Sequence, residues 1–349
     1  MNPTTLYIAD IRSNATQGRS TGHLVPVARM YQELFAGHCE VRVAGGPVYG
    51  QYFNDEELLR LPYDVSGTTL RDKWHTMMNC RRLFRAAEGQ TIVLQQSSVV
   101  TSFIGIVLFF HRKSRLLMIQ YSRAGVSSFM KRLLYRLAKR KVDGVICPNE
   151  EVGRAYGRPY CLVPDYIYTG LQQTTVPYNQ RTYDFCIVGR IAPEKGVVET
   201  AIALSCKPYK VLIAGKPQTE ALRNELETVC RNAANIELHL VYIDEGDYDR
   251  YIRQSRYSVL NYQGEYSMRS SGVVFDMLFR GTPVIGRRCK ALQFINEQKL
   301  GIVFEHLEEV DFASLLSATR FEHFQQHIQT YRQSHQQYAA ELKRFTIRI

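Results

Sequence analysis

The chain has 349 residues, enough for two ordinary domains, and its 45% hydrophobic and 22% charged content is that of a folded protein rather than a disordered one. Its net charge of +11 is uneven: residues 1–170 hold 22 Lys and Arg against 13 Asp and Glu, residues 171–349 hold 22 against 20, and residues 112–141 hold ten basic residues and no acidic one. So concentrated a basic segment implies an anionic partner; with no recognised nucleic-acid motif beside it, a membrane surface or a phosphorylated substrate fits better than a nucleic acid.

The eight cysteines are scattered, never at C-x-x-C spacing, and several sit inside apolar runs. They read as buried thiols of a reducing cytoplasm, not as a disulfide frame or a zinc site. The first residues, "MNPTTLYIAD", lack the charged and apolar regions of a signal peptide. The longest apolar stretch, Val99 to Phe110, is broken by Thr101, Ser102 and Gly105 and is too short to cross a bilayer.

In chain order, "TLYIAD" (5–10) predicts a first strand, followed by the loop "IRSNATQGRSTGH" and a helix from about Leu24 to Ala36. "VRVAGG" (41–46), "TIVLQQ" (91–96), "LLMIQYS" (116–122) and "GVICP" (144–148) predict further strands with helical material between them. Residues 170–182, "GLQQTTVPYNQRT", are polar and aperiodic, and 171–182 read as a linker. The alternation then restarts: strands at "YDFCIVG" (183–189), "YKVLIAG" (209–215), "IELHL" (236–240), "YSVLNY" (257–262) and "TPVIG" (282–286), with helices between. Strands alternating with helices predict parallel sheets covered on both faces. The expected organisation is an α/β chain of two Rossmann-like doubly wound domains, 1–170 and 183–325, facing each other across a ligand cleft. A helical tail, 326–349, is expected to pack back on the first domain.

Within "VSSFMKRLLYRLAKRK", Val126, Phe129, Met130, Leu133, Leu134 and Leu137 share one helical face, and Lys131, Arg132, Arg136, Lys139 and Arg140 lie mostly opposite. The apolar face is expected to pack on the sheet and the cationic face to meet anionic lipid.

Two stretches carry chemistry. In "VGRIAPEKG", Gly189 ends a strand, Arg190 offers a fork for phosphate oxygens, Lys195 offers a point charge, and a helix begins near Gly196. In "NYQGEYSMRSSGVVFDMLFRGTPVIG" (261–286), Arg269, Ser270, Ser271 and Gly272 fall at a helix start, where free N–H groups and hydroxyls cradle a diphosphate. Asp276 lies one turn further, placed to accept sugar hydroxyls. The plainer alternatives are a solvated surface turn and ordinary serine capping. In "GRSTGH", Gly22 and His23 stand at the start of the first helix. His323 and His327 have i,i+4 spacing but lie in a polar helix, and read as a solvated face rather than a metal site.

Together the two stretches resemble the retaining glycosyltransferases of family 4, the group 1 transferases of GT-B fold. "VGRIAPEKG" is similar to that family's Gly-Arg…Glu-Lys-Gly motif, and "FDMLFRGTPVI" to its Glu-Ala-Met-Ala-x-Gly-x-Pro-Val-Ile segment. "KVDGVICPNEEV" followed by "LVPDYI" resembles the end of the family's N-terminal domain. The likeness implies transfer of a sugar from a UDP- or GDP-linked donor with retention of configuration, to a glycan or lipid-diphosphate-linked acceptor, with no cofactor and no metal. Arg190 and Lys195 would hold the diphosphate, the 270–272 amides would assist, Asp276 would bind the ribose, and Gly22 and His23 would meet the acceptor. Two positions depart from the family. Counted back from Gly281, its pair of glutamates falls on Met268 and Asp276, with Glu265 the nearest carboxylate to the missing one. Its N-domain histidine falls on Tyr121, a candidate to present a hydroxyl near the transferred sugar. The overall expectation is a cytoplasmic enzyme peripheral to the inner face of the cell membrane, in cell-surface polysaccharide or glycolipid assembly. The alternatives are a catalytically weakened nucleotide- or partner-binding subunit, and a sugar epimerase or phosphorylase of the same fold.

Overall fold

The structure, a computed structural model, describes residues 5–16, 19–20, 24–95, 100–163, 167, 175–264 and 271–347. It divides into two compact units, Met1–Gly170 with Gln336–Ile349, and Leu171–His335.

The first unit contains β1 (Thr5–Ala9), a small antiparallel pair of β2 (Ala15–Thr16) and β3 (Arg19–Ser20), then β4 (Glu40–Gly45), β5 (Leu58–Arg60), β6 (Thr91–Leu94), β7 (Arg115–Ile119), β8 (Gly144–Cys147) and β9 (Tyr160–Leu162). Its main sheet is ordered β5-β4-β1-β6-β7-β8-β9, parallel throughout. The strand sequences are continuous apolar runs because both faces are covered. Alternate residues feed opposite cores: Tyr7, Ile92 and Leu116 one side, Leu6, Val93 and Leu117 the other.

The second unit contains β10 (Tyr183–Val188), β11 (Val211–Ala214), β12 (Ile236–His239), β13 (Ser255–Leu260), β14 (Val284–Arg287) and β15 (Gly301–Phe304). Its parallel sheet is ordered β12-β11-β10-β13-β14-β15. Phe185 and Ile187 enter one core, Cys186 and Val188 the other. Besides the two-residue strands β2 and β3, the sequence pattern misses β5, β9 and β15, which are three or four residues long and form sheet edges, where too few residues are buried to make a pattern.

Three local expectations need correction. Part of the stretch read as a linker is integral to the second unit: Arg181 is buried, and its guanidinium donates to the carbonyls of Val176 (3.0 Å), Ser255 (2.5 Å) and Gly281 (2.8 Å). It also lies 4.8 Å over the Phe321 ring. An arginine that satisfies carbonyls carries no hydrophobic signal, so composition alone hides it.

The tail also divides elsewhere than at residue 326. The helix Ala318–Ser334 belongs to the second unit, where Arg332 Nε donates to Leu278 O at 3.0 Å. The helix Gln336–Thr346 belongs to the first, packing on β9 and the helix Leu24–Phe35. There the Arg115 guanidinium donates to Phe345 O and Thr346 O at 2.5 Å each.

Finally, the basic helix, Phe129–Ala138, does not pack by its apolar stripe. It buries Tyr135 and Ala138 and half-buries Leu134, while Phe129, Met130, Leu133 and Leu137 are exposed. The anchor is Tyr135, whose hydroxyl donates to Tyr156 O at 3.0 Å and whose ring meets Phe103 and Tyr156. Periodicity identifies a stripe but not which way it faces. Among the described residues, no helix is long and apolar enough to cross a membrane.

Candidate functional site

In the second sheet the connection from β10 runs to β11 on one side and the connection from β13 runs to β14 on the other, which opens a crevice beyond the C-terminal ends of β10 and β13. The chain places Gly189 past the end of β10, and Asn261, Tyr262 and Gln263 past β13. A shallow concavity lies there, lined by Gly189, Arg190, Lys195, Tyr262 and Val273 above the apolar ends of the two strands.

Backbone geometry fixes the loop. Gly189 has φ +115°, a conformation that side-chain-bearing residues rarely adopt. A Cβ on Gly215, at the exit of β11, would fall 1.8 Å from Gly189 O, so the two exits are pressed together. Ile191 N–H donates to Lys216 O (3.1 Å) and Gln218 N–H to Ile191 O (2.9 Å), extending the contact beyond the strands. The chain then makes a tight turn, Pro193–Lys195, closed by Gly196 in the left-handed region at φ +60°. Buried Asn261 donates its amide to Gly196 O at 3.4 Å, and Gln263 N–H donates to Glu194 O at 2.8 Å. The exit of β13 therefore clamps the turn that carries Lys195.

The cations sit where the sequence leads one to look. A Cβ built on Gly189 would stand 4.0 Å from Lys195 Nζ and 3.8 Å from Val273 Cγ2, so the ammonium and the first turn of the helix Gly272–Phe279 both close on the glycine. Arg190 is exposed and Lys195 half-buried. Burial, and then the charge of Arg190, push the Lys195 pKa down to about 8, against the opposing pull of Glu194. That helix lines the concavity through Val273. First-turn amides of a helix lack intrahelical acceptors and carry its positive dipole end, so this wall favours an anion as the cations do.

Two of the residues expected here are otherwise engaged. Ser271 is buried, and its Oγ shares a 2.7 Å hydrogen bond with Tyr262 Oη instead of capping the helix or facing the concavity. Asp276 accepts from Tyr248 Oη (3.0 Å) and from the Arg280 guanidinium (3.1 Å). Arg280 continues to Asp249 (2.9 Å) and Asp249 to Arg253 (2.7 Å), a network that ties this helix to the helix Glu245–Arg253. Each Asp276 oxygen therefore already accepts one bond from a side chain of the helix packing. Glu265, Arg269 and Ser270, with Met268, lie outside the described residues, as do Gly22 and His23.

Sequence reasoning missed Asn261, Tyr262 and Val273; the signal was the polar "NYQG" directly after the apolar strand. It missed Asp10 and Gln95 as well, which occupy the equivalent switch point of the first sheet, past β1 and β6. Both are buried. Asp10 accepts from Tyr49 Oη and Arg12 N–H, each at 3.0 Å, and burial raises its pKa. Tyr121, past β7, is half-buried against the core, beside buried Gln120, which accepts from Tyr156 Oη at 2.8 Å. Among the described residues, no group of three or more His, Cys, Asp or Glu side chains is disposed to hold a metal ion.

No protein-family model matches the sequence, and no curated protein matches it. Solved structures do match in fold. Anabaena HepE in complex with UDP is 11% identical, with 98% of this chain and 99% of that one covered and a TM-score of 0.66. A trehalose-6-phosphate synthase, studied for glycosyl transfer with retention, is 9% identical over 99% of each chain, with a TM-score of 0.66. A Listeria monocytogenes protein named for UDP-N-acetylglucosamine 2-epimerase is 14% identical, covering 93% of this chain and 91% of that one, with a TM-score of 0.60. The protein has the GT-B fold, with its two parallel sheets of seven and six strands.

Proposed function

We propose that the protein is a glycosyltransferase that takes a sugar from a nucleoside diphosphate donor and passes it to an acceptor hydroxyl with retention, in the manner of family 4. The observation that carries this reading is the concavity at the β10/β13 switch point, where Lys195 and a helix N-terminus close on Gly189, beside Arg190. Fixed positive charge converging on a strand end fits a diphosphate better than a neutral ligand. The binding of UDP by HepE, and transfer with retention by the trehalose-6-phosphate synthase, support the reading by likeness of fold.

In the reaction, Arg190 and Lys195 take up the negative charge that grows on the departing diphosphate, stabilising the transition state more than the bound donor. The bond from the anomeric carbon to the diphosphate oxygen breaks, the acceptor oxygen bonds to that carbon from the same face, and the acceptor proton passes to the diphosphate. No resident cofactor is required. The acceptor is a glycan or a lipid-diphosphate-linked saccharide of cell-surface assembly, met at the inner face of the cell membrane, where the excess of basic residues in 112–141 favours anionic surroundings.

The test is incubation of the purified protein with UDP- and GDP-sugars and a membrane lipid extract, following free nucleoside diphosphate and glycosylated product. The reading expects both in equal amounts, with the donor's anomeric configuration kept. Isomerised sugar nucleotide without transfer would move the assignment to an epimerase. Binding of nucleotide without turnover of any donor would move it to a non-catalytic subunit.

A further inference from the structure

The helix Phe129–Ala138 turns its inner face to the first unit through Tyr135 and Ala138, and its outer face to solvent. On that outer face Phe129, Met130, Leu133 and Leu137, spaced by three and four residues, form one stripe and are 43% to 74% exposed. Leu108 is 58% exposed, and Lys141 Nζ, three residues past the helix, donates to the carbonyls that flank it, Val107 O (2.8 Å) and Phe110 O (2.9 Å). Arg132, Arg136 and Arg140 are exposed as well, and their positions border the stripe rather than oppose it. Lys131 is different: its ammonium is turned back to Ala124 O at 2.9 Å.

A helix that faces only water carries polar residues there. Large apolar side chains flanked by arginines are instead the pattern of a helix lying in the plane of a bilayer interface, with apolar groups at the acyl boundary and guanidinium groups at the phosphate level. The charge decides between occupants. A second copy placed against the same face would bring its arginines against these arginines, whereas an anionic lipid surface pairs with them.

We infer that the protein docks on anionic bilayers by inserting Phe129, Met130, Leu133 and Leu137, with Arg132, Arg136 and Arg140 on lipid phosphates. This deepens the membrane placement proposed above by naming what enters the bilayer, and it needs no donor or turnover. A chain that binds vesicles but no nucleotide retains this inference and loses the transfer reading, and the reverse holds equally.

The full chain is mixed with vesicles of phosphatidylcholine alone or of equal parts phosphatidylcholine and phosphatidylglycerol, and the bound fraction is read by flotation. Binding is expected on the anionic vesicles, and is expected to fall with added salt. Leu133→Glu is expected to weaken it by roughly tenfold or more, and each of Arg132→Gln and Arg136→Gln by about fivefold. These side chains are exposed, so the melting temperatures of the variants should match that of the wild type. Equal binding to both vesicle types, no binding to either, or unchanged binding by Leu133→Glu would overturn the inference. So would sedimentation showing a dimer that Leu133→Glu converts to monomer, since the stripe would then be a protein interface.

Discussion

Lys195 is held at a pKa of about 8 by burial and by Arg190, so it is charged at neutral pH and loses its proton well below the ordinary lysine range. A diphosphate set beside it favours the charged form. Below about pH 8 the lysine already carries its proton; above it, binding must take a proton up, and affinity falls by up to about tenfold per pH unit until the bound-state pKa is reached. Stability runs the other way: the unfolded chain holds this proton up to the ordinary lysine range, so stability rises with pH between about 8 and that range. Calorimetric titration with UDP should give a flat affinity between about pH 7 and 8, where the terminal phosphate is already fully ionised, and a decline above it. Lys195→Arg should abolish the decline, because arginine stays protonated, and Lys195→Met should weaken binding by about 2 kcal/mol at pH 7. A wild-type affinity that is constant from pH 7 to 9.5 would contradict this role. Gly189, Arg190 and Lys195 were legible in the sequence because one strand end and one turn carry all three. The Asp276–Arg280 pair follows from i,i+4 spacing on one helix, whereas the contact of Asp276 with Tyr248 was not legible, because it depends on how two helices meet.

Among elements, the site depends on two strand exits in contact, and the tightest point is Gly215 against Gly189 O. Gly215→Ala must push the exits of β10 and β11 apart. The expected cost is about 1–3 kcal/mol, the usual penalty of overpacking, read as a fall in melting temperature together with loss of nucleotide binding. An alanine variant that melts and binds like the wild type would remove this geometry from the account. The "YKVLIAG" run announces the strand and its closing glycine, but not what that glycine faces. The helix Phe129–Ala138 gives the converse lesson. Its stripe was plain in the sequence, yet Tyr135, a single residue on the other face, decides which side is buried.

For the molecule as a whole, the alternation of apolar runs with helical segments made two doubly wound sheets legible, since parallel strands buried on both faces leave continuous hydrophobic sequence. Short edge strands and the split of the last two helices between the units were not legible, because they rest on a few contacts and on single polar side chains such as Arg115 and Arg332. The GT-B fold then leaves one question open to direct measurement, whether the β10/β13 switch point holds a nucleoside diphosphate. Thermal melting with UDP, GDP and their sugars, run on wild type and on Arg190→Ala, decides it. The account predicts that one base at about a hundred times its dissociation constant raises the wild-type midpoint by several degrees, and that the same concentration moves the variant little. If no nucleotide shifts the wild type, or if Arg190→Ala responds as strongly, the account is contradicted.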